Sequence, residues 1–388
     1  VLVRVLQIME CTIGGTRRHL GDLVAGLLAR GVEVEVACAA RRDPAMRGDM
    51  AIMSAAGAVV HEIPMVRRIH PVRDAWHALR LSSLICDRGF DVVHTHSSKA
   101  GALGRLAGAL LSSAARVHTP HTYAFSFEGG TGQGGETAGP VGLLMKIEKV
   151  MGRLSSAVIH VSESERKDGA ALGVVPPDKA RVIPNGIQPA AYASPSGGAA
   201  WREELGIPEH ARVVGSVGLL NDAKGYDLLV AALAQLPEDV HLLIVGHGER
   251  EAALRRQGQE LGLGERLHLA GWRDDLGAAH DAMDVFALPS RWEGLPYALI
   301  EAMAAGLPCL SADVNGSRDV FATDPSCGVL VPREDPAALA DGLSRLLGDE
   351  PLRARLAKDG PARVAAAFTV DGMVDSTLAL YRELTGAA

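Results

Sequence analysis

The sequence predicts an α/β protein built from two Rossmann-like domains, each with a parallel sheet, facing one another across a cleft. Three observations predict it. The 388 residues exceed what a single hydrophobic core ordinarily fills, so two domains of nearly equal size are expected. Apolar runs of strand length alternate with helical stretches, and that rhythm restarts near residue 213. Glycines collect where strands give way to helices, as tight strand-to-helix turns require.

Taken in order, residues 1–8 read as a strand, Gly14-Gly15 as a turn, Thr16–Arg30 as a helix and Val32–Cys38 as the next strand. This βαβ opening places glycine N–H groups at a strand's carboxyl end, where a phosphate or sugar can lodge. The run RRIHPVRDAWHALR, 67–80, is rich in cations around a Trp and suits either a membrane or acceptor surface or a helix with one wet face. Asp91–His94 ends a buried strand, with His96, Ser97, Ser98 and Lys99 at its edge. His94 and His96 resemble half a metal site, but no third ligand follows at a usable spacing. Arg116–Thr122 is a short strand entering a loop that carries His121. Residues 125–142, around GGTGQGGETAGP, cannot bury a core and suit a mobile flap or a plain surface insertion. A helix at Leu143–Leu154, a strand at Ala157–Val161 and a strand and turn at Arg181–Gly186 complete the half, and small residues with Pro195, Gly197 and Gly198 mark a boundary at 190–210.

The second half opens with a strand at Val213–Val217, a loop from Gly218 to Gly225 and a helix at Tyr226–Ala234. A strand at His241–Val245 ends in Gly246-His247-Gly248, and another at Leu267–Ala270 enters the turn Gly271–Asp275. Val314–Asp319 reads as a loop opening the next helix, and Thr369–Leu384 as an amphipathic helix.

Composition bounds the rest. Hydrophobic residues at 47% and charged ones at 22% describe a globular chain with ample core. The formal charge of −7 is uneven: residues 1–190 carry 22 Lys+Arg against 17 Asp+Glu, the remainder 17 against 29. A basic first half suits an anionic lipid or phosphate-bearing acceptor, though scattered solvated arginines would give the same count. Five cysteines without metal-ligand spacing suit a reducing cytosol, and the longest apolar stretch, 102–117, is interrupted by Arg105 and Arg116. The expected localisation is cytoplasmic, with room for peripheral contact at the inner membrane face.

The densest chemistry lies in DVFALPSRWEGLPYALIEAMAAGLP, 284–308. Val285–Leu288 reads as a strand buried on both faces, followed by a polar turn and a helix with Pro296 at its first position, Gly306 just past its end and Pro308 as a stop. Glu293 lies in the turn, where capping the helix is the simplest role for it, and N–H groups near Gly294 and Leu295 can meet anionic oxygens. Glu301 sits among Leu299, Ile300, Met303 and Ala304, so it is expected to be buried and to need a polar partner.

These residues resemble the retaining glycosyltransferases of family 4, of GT-B fold. Pro289-Ser290-Arg291-Trp292-Glu293-Gly294 through Glu301-Ala302-Met303-Ala304-Ala305-Gly306-Leu307-Pro308 fits the pattern PSxxEGxxxxxxEAMAxGxP, two Glu separated by seven residues. HTHSSKAG further resembles a branch of bacterial surface-polysaccharide enzymes. The resemblance implies a nucleotide-sugar donor, a UDP-sugar favoured, held by the domain 191–370, and an acceptor, lipid-linked or phosphate-bearing among the options, on the domain 1–190. Residues 371–388 would form a helix crossing back to the first domain.

Residue by residue, it implies that Glu301 holds the ribose and Glu293 the donor sugar, and that His121 lies beside that sugar. Gly14, Gly15, Gly218, Lys224, Gly246, Gly248, Gly294, Leu295 and Pro296 line the donor site, Gly271–Asp275 flanks the base, and His19, His96 and Lys99 face the acceptor. The pattern departs at Leu219, where the family places an Arg that grips diphosphate, and Asp319 stands where a Glu is usual. No Asp-x-Asp motif is present, so the expectation is no metal and no cofactor, with Lys224, N–H groups and helix dipoles holding the leaving group, and no nucleic acid partner. Two rivals are a silent binding protein that lost its phosphate grip at Leu219 and a dehydrogenase, for which Gly14-Gly15 with Glu35 imitates part of a dinucleotide fingerprint but misplaces its third glycine.

Overall fold

The computed structural model describes residues 3–41, 43–66, 68–123, 140–322 and 325–387. The proposed flap lies, through residue 139, outside the described residues. The chain forms two compact units, Val1–Gly186 with Val370–Ala388, and Ile187–Thr369.

In the first unit, β1 (Arg4–Met9), β2 (Glu33–Cys38), β3 (Val59–Glu62), β4 (Val92–His96), β5 (Ala115–Thr119), β6 (Ala157–His160) and β7 (Ala180–Val182) form a parallel sheet of order β3-β2-β1-β4-β5-β6-β7. Its helices are α1 (Gly14–Ala29), α2 (Met46–Ala55), α3 (Pro71–Arg88), α4 (Ser98–Leu111), α5 (Pro140–Leu154) and α6 (Glu163–Ala171). Period-2 alternation divides β1 between two cores. Val5 and Met9 join one containing Leu20, Leu23 and Leu27 of α1, while Leu6 and Ile8 join another with Leu81 and Ile85 of α3.

In the second unit, α7 (Gly198–Glu204) precedes β8 (Arg212–Val217), α8 (Tyr226–Leu233), β9 (Val240–Val245), α9 (Glu251–Glu260), β10 (Leu267–Leu269) and α10 (Leu276–Asp281). Then follow β11 (Val285–Leu288), α11 (Tyr297–Ala304), β12 (Cys309–Ala312), α12 (Asn315–Phe321), β13 (Val329–Val331), α13 (Pro336–Gly348) and α14 (Glu350–Ala367). The strands are parallel in the order β10-β9-β8-β11-β12-β13. The last helix, α15 (Val370–Thr385), belongs to the first unit and packs against α1. It buries Met373, Val374, Leu378 and Tyr381, and Arg30 reaches Asp371 at 3.0 Å and Asp375 at 2.6 Å. The two aspartates are well exposed, so the apolar contacts carry most of the attachment.

Three local expectations are corrected. Gly14 and Gly15 lie in the first turn of α1, because Thr16 Oγ1 donates to Cys11 and Ile13 carbonyls and draws the helix start back to Gly14. Pro296 is the N-cap of α11, with extended φ −77°, ψ 110°, so the helix begins one residue later than expected. Asn315–Asp319 is helical from Asn315 onward, since Val314 is already the extended cap.

Each sheet reverses its winding once, between β1 and β4 and between β8 and β11. Loops leaving two adjacent strands diverge there, which opens a crevice at their carboxyl ends. Among the described residues no helix is long and apolar enough to cross a membrane. None of the five cysteines forms a disulfide.

Candidate active site

At the β8/β11 reversal, the loop after β8 and the turn after β11 bring opposite charges together. Lys224 Nζ lies 2.6 Å from Glu293 Oε1, and Ser290 Oγ donates to the same oxygen at 2.7 Å. Asn221 fixes the loop by accepting from the Lys224 N–H at 3.3 Å. Arg291 holds Asp227 of α8 with both guanidinium nitrogens, at 2.9 and 2.7 Å, tying the turn to the helix that begins just past Lys224. Glu293 does not cap α11, which has no side-chain cap; its first-turn N–H groups and the positive end of its dipole lie beside the turn.

Glycines set how tightly this edge closes. A Cβ on Gly246, at φ 145°, would stand 1.9 Å from the Gly218 carbonyl oxygen, so the loops after β8 and β9 meet backbone to backbone. One on Gly316 would stand 2.4 Å from the Gly294 carbonyl oxygen, which seats the first turn of α12 against Gly294. Gly248 lies beside the backbone of Leu220, where the Arg250 N–H donates to the Leu220 carbonyl.

Glu301 is 4% exposed, and its Oε1 accepts from the Tyr192 hydroxyl at 2.7 Å. The burial and the need for a polar partner are as expected; the partner comes from just past the unit boundary. His280 stands beside Tyr192, its ring 5.9 Å away, and burial lowers its pKa against the pull of Glu301. At Leu219 there is no guanidinium, but Arg250 joins the same loop through its backbone and pairs with Asp222 at 3.1 Å.

The β1/β4 reversal has a different lining. His96, at the end of β4, bonds Gln7 Oε1 of β1 through Nε2 at 2.8 Å and His121 Nε2 through Nδ1 at 3.1 Å. The amide oxygen accepts only, so His96 carries its proton on Nε2, and its Nδ1 accepts from His121. His121 is therefore protonated on Nε2 and offers Nδ1 as an acceptor, which suits a sugar hydroxyl. The Gln7 amide nitrogen in turn donates to the Tyr381 hydroxyl of α15 at 3.1 Å, which sits 2.5 Å from His94 Nδ1.

His19 meets the His121 ring edge-on at 4.6 Å between centroids. Among the described residues, no well-formed hydrogen bond reaches either His19 ring nitrogen, the Ser97 hydroxyl or Asn185 Oδ1, although all are buried and the Asn185 side chain lies near His19. Such orphaned groups mark a place built for something polar. Burial pushes the His19 pKa down to about 4, and burial together with neighbouring histidines holds His96 and His121 well below the ordinary imidazole value. This lining is neutral at pH 7.

Folding brings together imidazoles that no spacing along the chain pairs. His94 turns away to Tyr381 and Thr119, whereas His19, His96 and His121 each bring a ring nitrogen within 4.8 Å of the others, a set that could hold a cation. The His96–His121 bond already uses one nitrogen of each. Lys99 is committed elsewhere: its ammonium contacts both Asp74 oxygens at 2.8 Å and the Arg68 carbonyl at 2.5 Å. Gly14 and Gly15 open α1 near His19 in sequence, and Leu295 is buried under the Gly294 turn. Trp272 is exposed, and its ring approaches His247 edge-on at 5.3 Å.

Sequence reasoning missed Gln7, Asn185, Tyr192, Ser290 and Tyr381. Gln7 had a signal, an amide alone inside an apolar strand. Tyr192 and Tyr381 had none.

Two family models match the chain: Glycosyltransferase Family 4 over residues 13–191 and Glycosyl transferases group 1 over residues 199–363. The UDP-Gal:alpha-D-GlcNAc-diphosphoundecaprenol alpha-1,3-galactosyltransferase of Escherichia coli is 30% identical over 330 residues, 82% of each chain. A D-inositol 3-phosphate glycosyltransferase of Xylanimonas cellulosilytica is 30% identical across 96% of this chain and 92% of its own length. Among solved structures, Anabaena HepE in complex with UDP and glucose superposes with a TM-score of 0.83 at 21% identity, covering 98% of this chain and all of that one. Sucrose-phosphate synthase from Thermosynechococcus elongatus gives 0.80 at 24% identity, covering 100% of both chains. With relatives of this identity and coverage, and with two parallel-sheet Rossmann-like units, the chain belongs to glycosyltransferase family 4 and is a glycosyltransferase of GT-B fold.

Proposed function

We propose that the chain transfers a hexose or N-acetylhexosamine from a UDP-sugar to an acceptor hydroxyl, with retention of anomeric configuration, in the synthesis of a surface polysaccharide or glycoconjugate. The observation that carries this reading is the Lys224–Glu293 pair at 2.6 Å on the β8/β11 edge, with Glu301 buried one helix turn beyond the uncapped start of α11. A carboxylate in that buried position suits two ribose hydroxyls, and the ammonium with the helix dipole suits a diphosphate. As the glycosidic bond stretches, charge grows on the leaving diphosphate, and cations and N–H groups already aimed at it lower the barrier. Lys224 and Arg250 are the side chains assigned to it. Glu293 and His121 are assigned to the sugar, Glu293 accepting hydroxyls once Lys224 turns to phosphate. Gly218, Gly246, Gly248 and Gly294 shape the donor loops, while His19 and His96 serve the acceptor. Lys99, held by Asp74, is a weaker acceptor candidate than these histidines, and Tyr192 is an added contact to test beside Glu301.

Donors with the UDP base find support in two neighbours, the Escherichia coli relative named for UDP-Gal and the Anabaena structure holding UDP and glucose. Two relatives are named for acceptors that carry phosphate, one on a diphosphate-linked lipid and one on inositol 3-phosphate, and this supports a phosphate-bearing acceptor here. For a lipid-linked acceptor, contact with an anionic membrane is assigned to α3. Val72, Trp76 and Leu79, spaced along one helix face, are 76%, 45% and 69% exposed, Arg73 lies on the same helix, and the Arg80 guanidinium stands 5.1 Å from the Trp76 ring.

The test is an assay of UDP release from UDP-glucose, UDP-galactose and UDP-N-acetylglucosamine, with and without phosphate-bearing acceptors. Turnover with any of them supports the reading; UDP binding without turnover would identify a silent binding protein. Pelleting with phosphatidylglycerol vesicles, lost in Trp76→Ser with Leu79→Ser, tests the membrane contact, and equal pelleting of the variant would remove α3 from it.

A further inference from the structure

The loop that presents His121 is bent in a way its residues do not favour. His121 has φ 53° and Thr122 φ 78°, consecutive left-handed positions without a glycine, the second of them β-branched. Something must hold them, and the bond that does so comes from α6. Ser162 and Glu165 have capping-box spacing: Ser162 Oγ accepts from the Glu165 N–H at 3.2 Å. In such a box the glutamate ordinarily returns to the N–H of the capping residue. Here one carboxylate oxygen accepts from the Val161 N–H at 2.8 Å, and the other reaches across to the Thr122 N–H at 2.7 Å. Glu165 is 5% exposed, so this bond is made away from water.

We propose that Glu165 is a positioning residue, whose carboxylate clamps the Thr122 amide and so fixes the imidazole of His121 for work on the donor sugar. The proposal rests on the role assigned above to His121. Two N–H groups converge on two oxygens, an arrangement that suits the ionised carboxylate, whose oxygens both accept strongly. Protonation makes one oxygen a hydroxyl, a donor and a poorer acceptor, and so weakens one of the two contacts. Burial raises the Glu165 pKa to about 7, against the pull of the Val161 and Thr122 N–H groups, with Asp168 adding to the rise. The other ionisable groups around this corner are Tyr123, bonded to His160 at 2.9 Å, the buried Arg105–Glu148 pair, and Glu163 with Arg166. His160 is held at about 4, and Tyr123 is raised by burial, so both are neutral where Glu165 titrates.

The experiment compares wild type with Glu165→Gln, which can accept at one atom and turns an NH₂ toward the other N–H. In protein labelled with 15N-threonine and 15N-valine, the Thr122 and Val161 amide shifts should move together with a midpoint near pH 7 in wild type and stay flat in Glu165→Gln. UDP-glucose and UDP-galactose hydrolysis should show kcat reduced about tenfold or more with KM changed less than about twofold, and the acid limb of the wild-type profile should vanish. Adding Thr122→Gly, which takes a left-handed φ without strain, should restore part of kcat. Wild-type amides that ignore pH, or a Glu165→Gln enzyme with unchanged kcat and its acid limb intact, would overturn the clamp. Wild type that hydrolyses neither sugar nucleotide counts against the donor reading instead, while the amide titration still decides whether Glu165 holds the loop. If Glu165→Gln does not fold, the wild-type titration alone decides it.

Discussion

The β1/β4 and β8/β11 reversals share one topology and carry opposite chemistry. At the first, ring nitrogens, an amide and a hydroxyl form a chain through Gln7, His96, His121 and Tyr381, with every imidazole kept neutral by burial. At the second, full charges meet: Lys224 against Glu293, and Glu301 buried inside a helix. The reversal of winding provides the crevice in both cases, and what lines the crevice decides what it can hold. Neutral groups with both donor and acceptor character suit hydroxyls, whose binding brings no net charge into a dry site. A cation, a carboxylate and a helix N-terminus suit a ligand with phosphate at one end and hydroxyls at the other.

The largest expected effect that separates the two comes from acid. A histidine whose folded pKa lies below its unfolded value near 6.5 binds fewer protons when folded. Stability is therefore complete above that value and is lost as pH falls toward the folded pKa. For His19 the window runs from about 6.5 down to about 4, with a slope of about 1.4 kcal/mol per pH unit. His96 and His121 act in the same direction. Glu165, raised to about 7, acts in the opposite one, stabilising the fold as pH falls from there toward the ordinary carboxylate range, and offsets part of the loss. Urea midpoints should drop between pH 7 and pH 5, and His19→Gln should flatten that drop. A variant as acid-sensitive as wild type would mean that His19 titrates normally and that the first crevice is wetter than its burial indicates.

Next in size is Glu301→Ala, expected to weaken UDP binding about a hundredfold, since charge-assisted bonds to ribose hydroxyls would be lost from a buried site. Calorimetry measures it. Glu301→Gln keeps the volume and one acceptor for Tyr192, so it should fall between alanine and wild type. Unchanged affinity in both would detach nucleotide binding from α11 and sink the contrast drawn above.

The second crevice was the more legible of the two in the sequence, and the reason is local. Glu293, Gly294 and Glu301 lie on one strand-turn-helix segment, so spacing alone set their order, and the apolar neighbours of Glu301 foretold its burial. Its hydroxyl partner could not be foretold, because Tyr192 lies 109 positions away. The first crevice is assembled from four separated pieces, and Tyr381 stands 374 positions from the Gln7 amide it bonds. His94 and His96 share a face of β4 by period-2 alternation, yet different neighbours take them, which no spacing rule reveals. Lys99 falls in the first turn of α4, just past the end of β4, and the 25-residue step to Asp74 that occupies its ammonium was invisible.

A smaller effect sharpens the question of charge. Leu219 leaves the loop after β8 without the guanidinium that the family usually places there, and Arg250 reaches that loop from its other side. Leu219→Arg should tighten UDP binding about tenfold by adding a bidentate donor. Arg250→Ala should weaken it in wild type and matter less in the Leu219→Arg background. Additive effects in the double variant would mean that the two positions serve different oxygens.

The smallest effect concerns one hydroxyl. Tyr192 donates to Glu301 Oε1 at 2.7 Å, on the carboxylate assigned to the ribose. Either the tyrosine orients the carboxylate and stays when nucleotide binds, or it competes for the same oxygen and must leave. Tyr192→Phe distinguishes these with little change in shape. If the hydroxyl orients Glu301, UDP affinity falls about fivefold, in line with one ordinary hydrogen bond of about 1 kcal/mol. If it competes, affinity rises by a similar factor while the unliganded protein loses about 1 kcal/mol of stability, because Glu301 is then left without that donor. The linkage favours competition, since a buried carboxylate needs its donor most when no ribose is present. The expected outcome is tighter UDP binding in a less stable protein, read by calorimetry and by urea unfolding of the same preparation. Weaker binding with unchanged stability would reassign Tyr192 to the bound state.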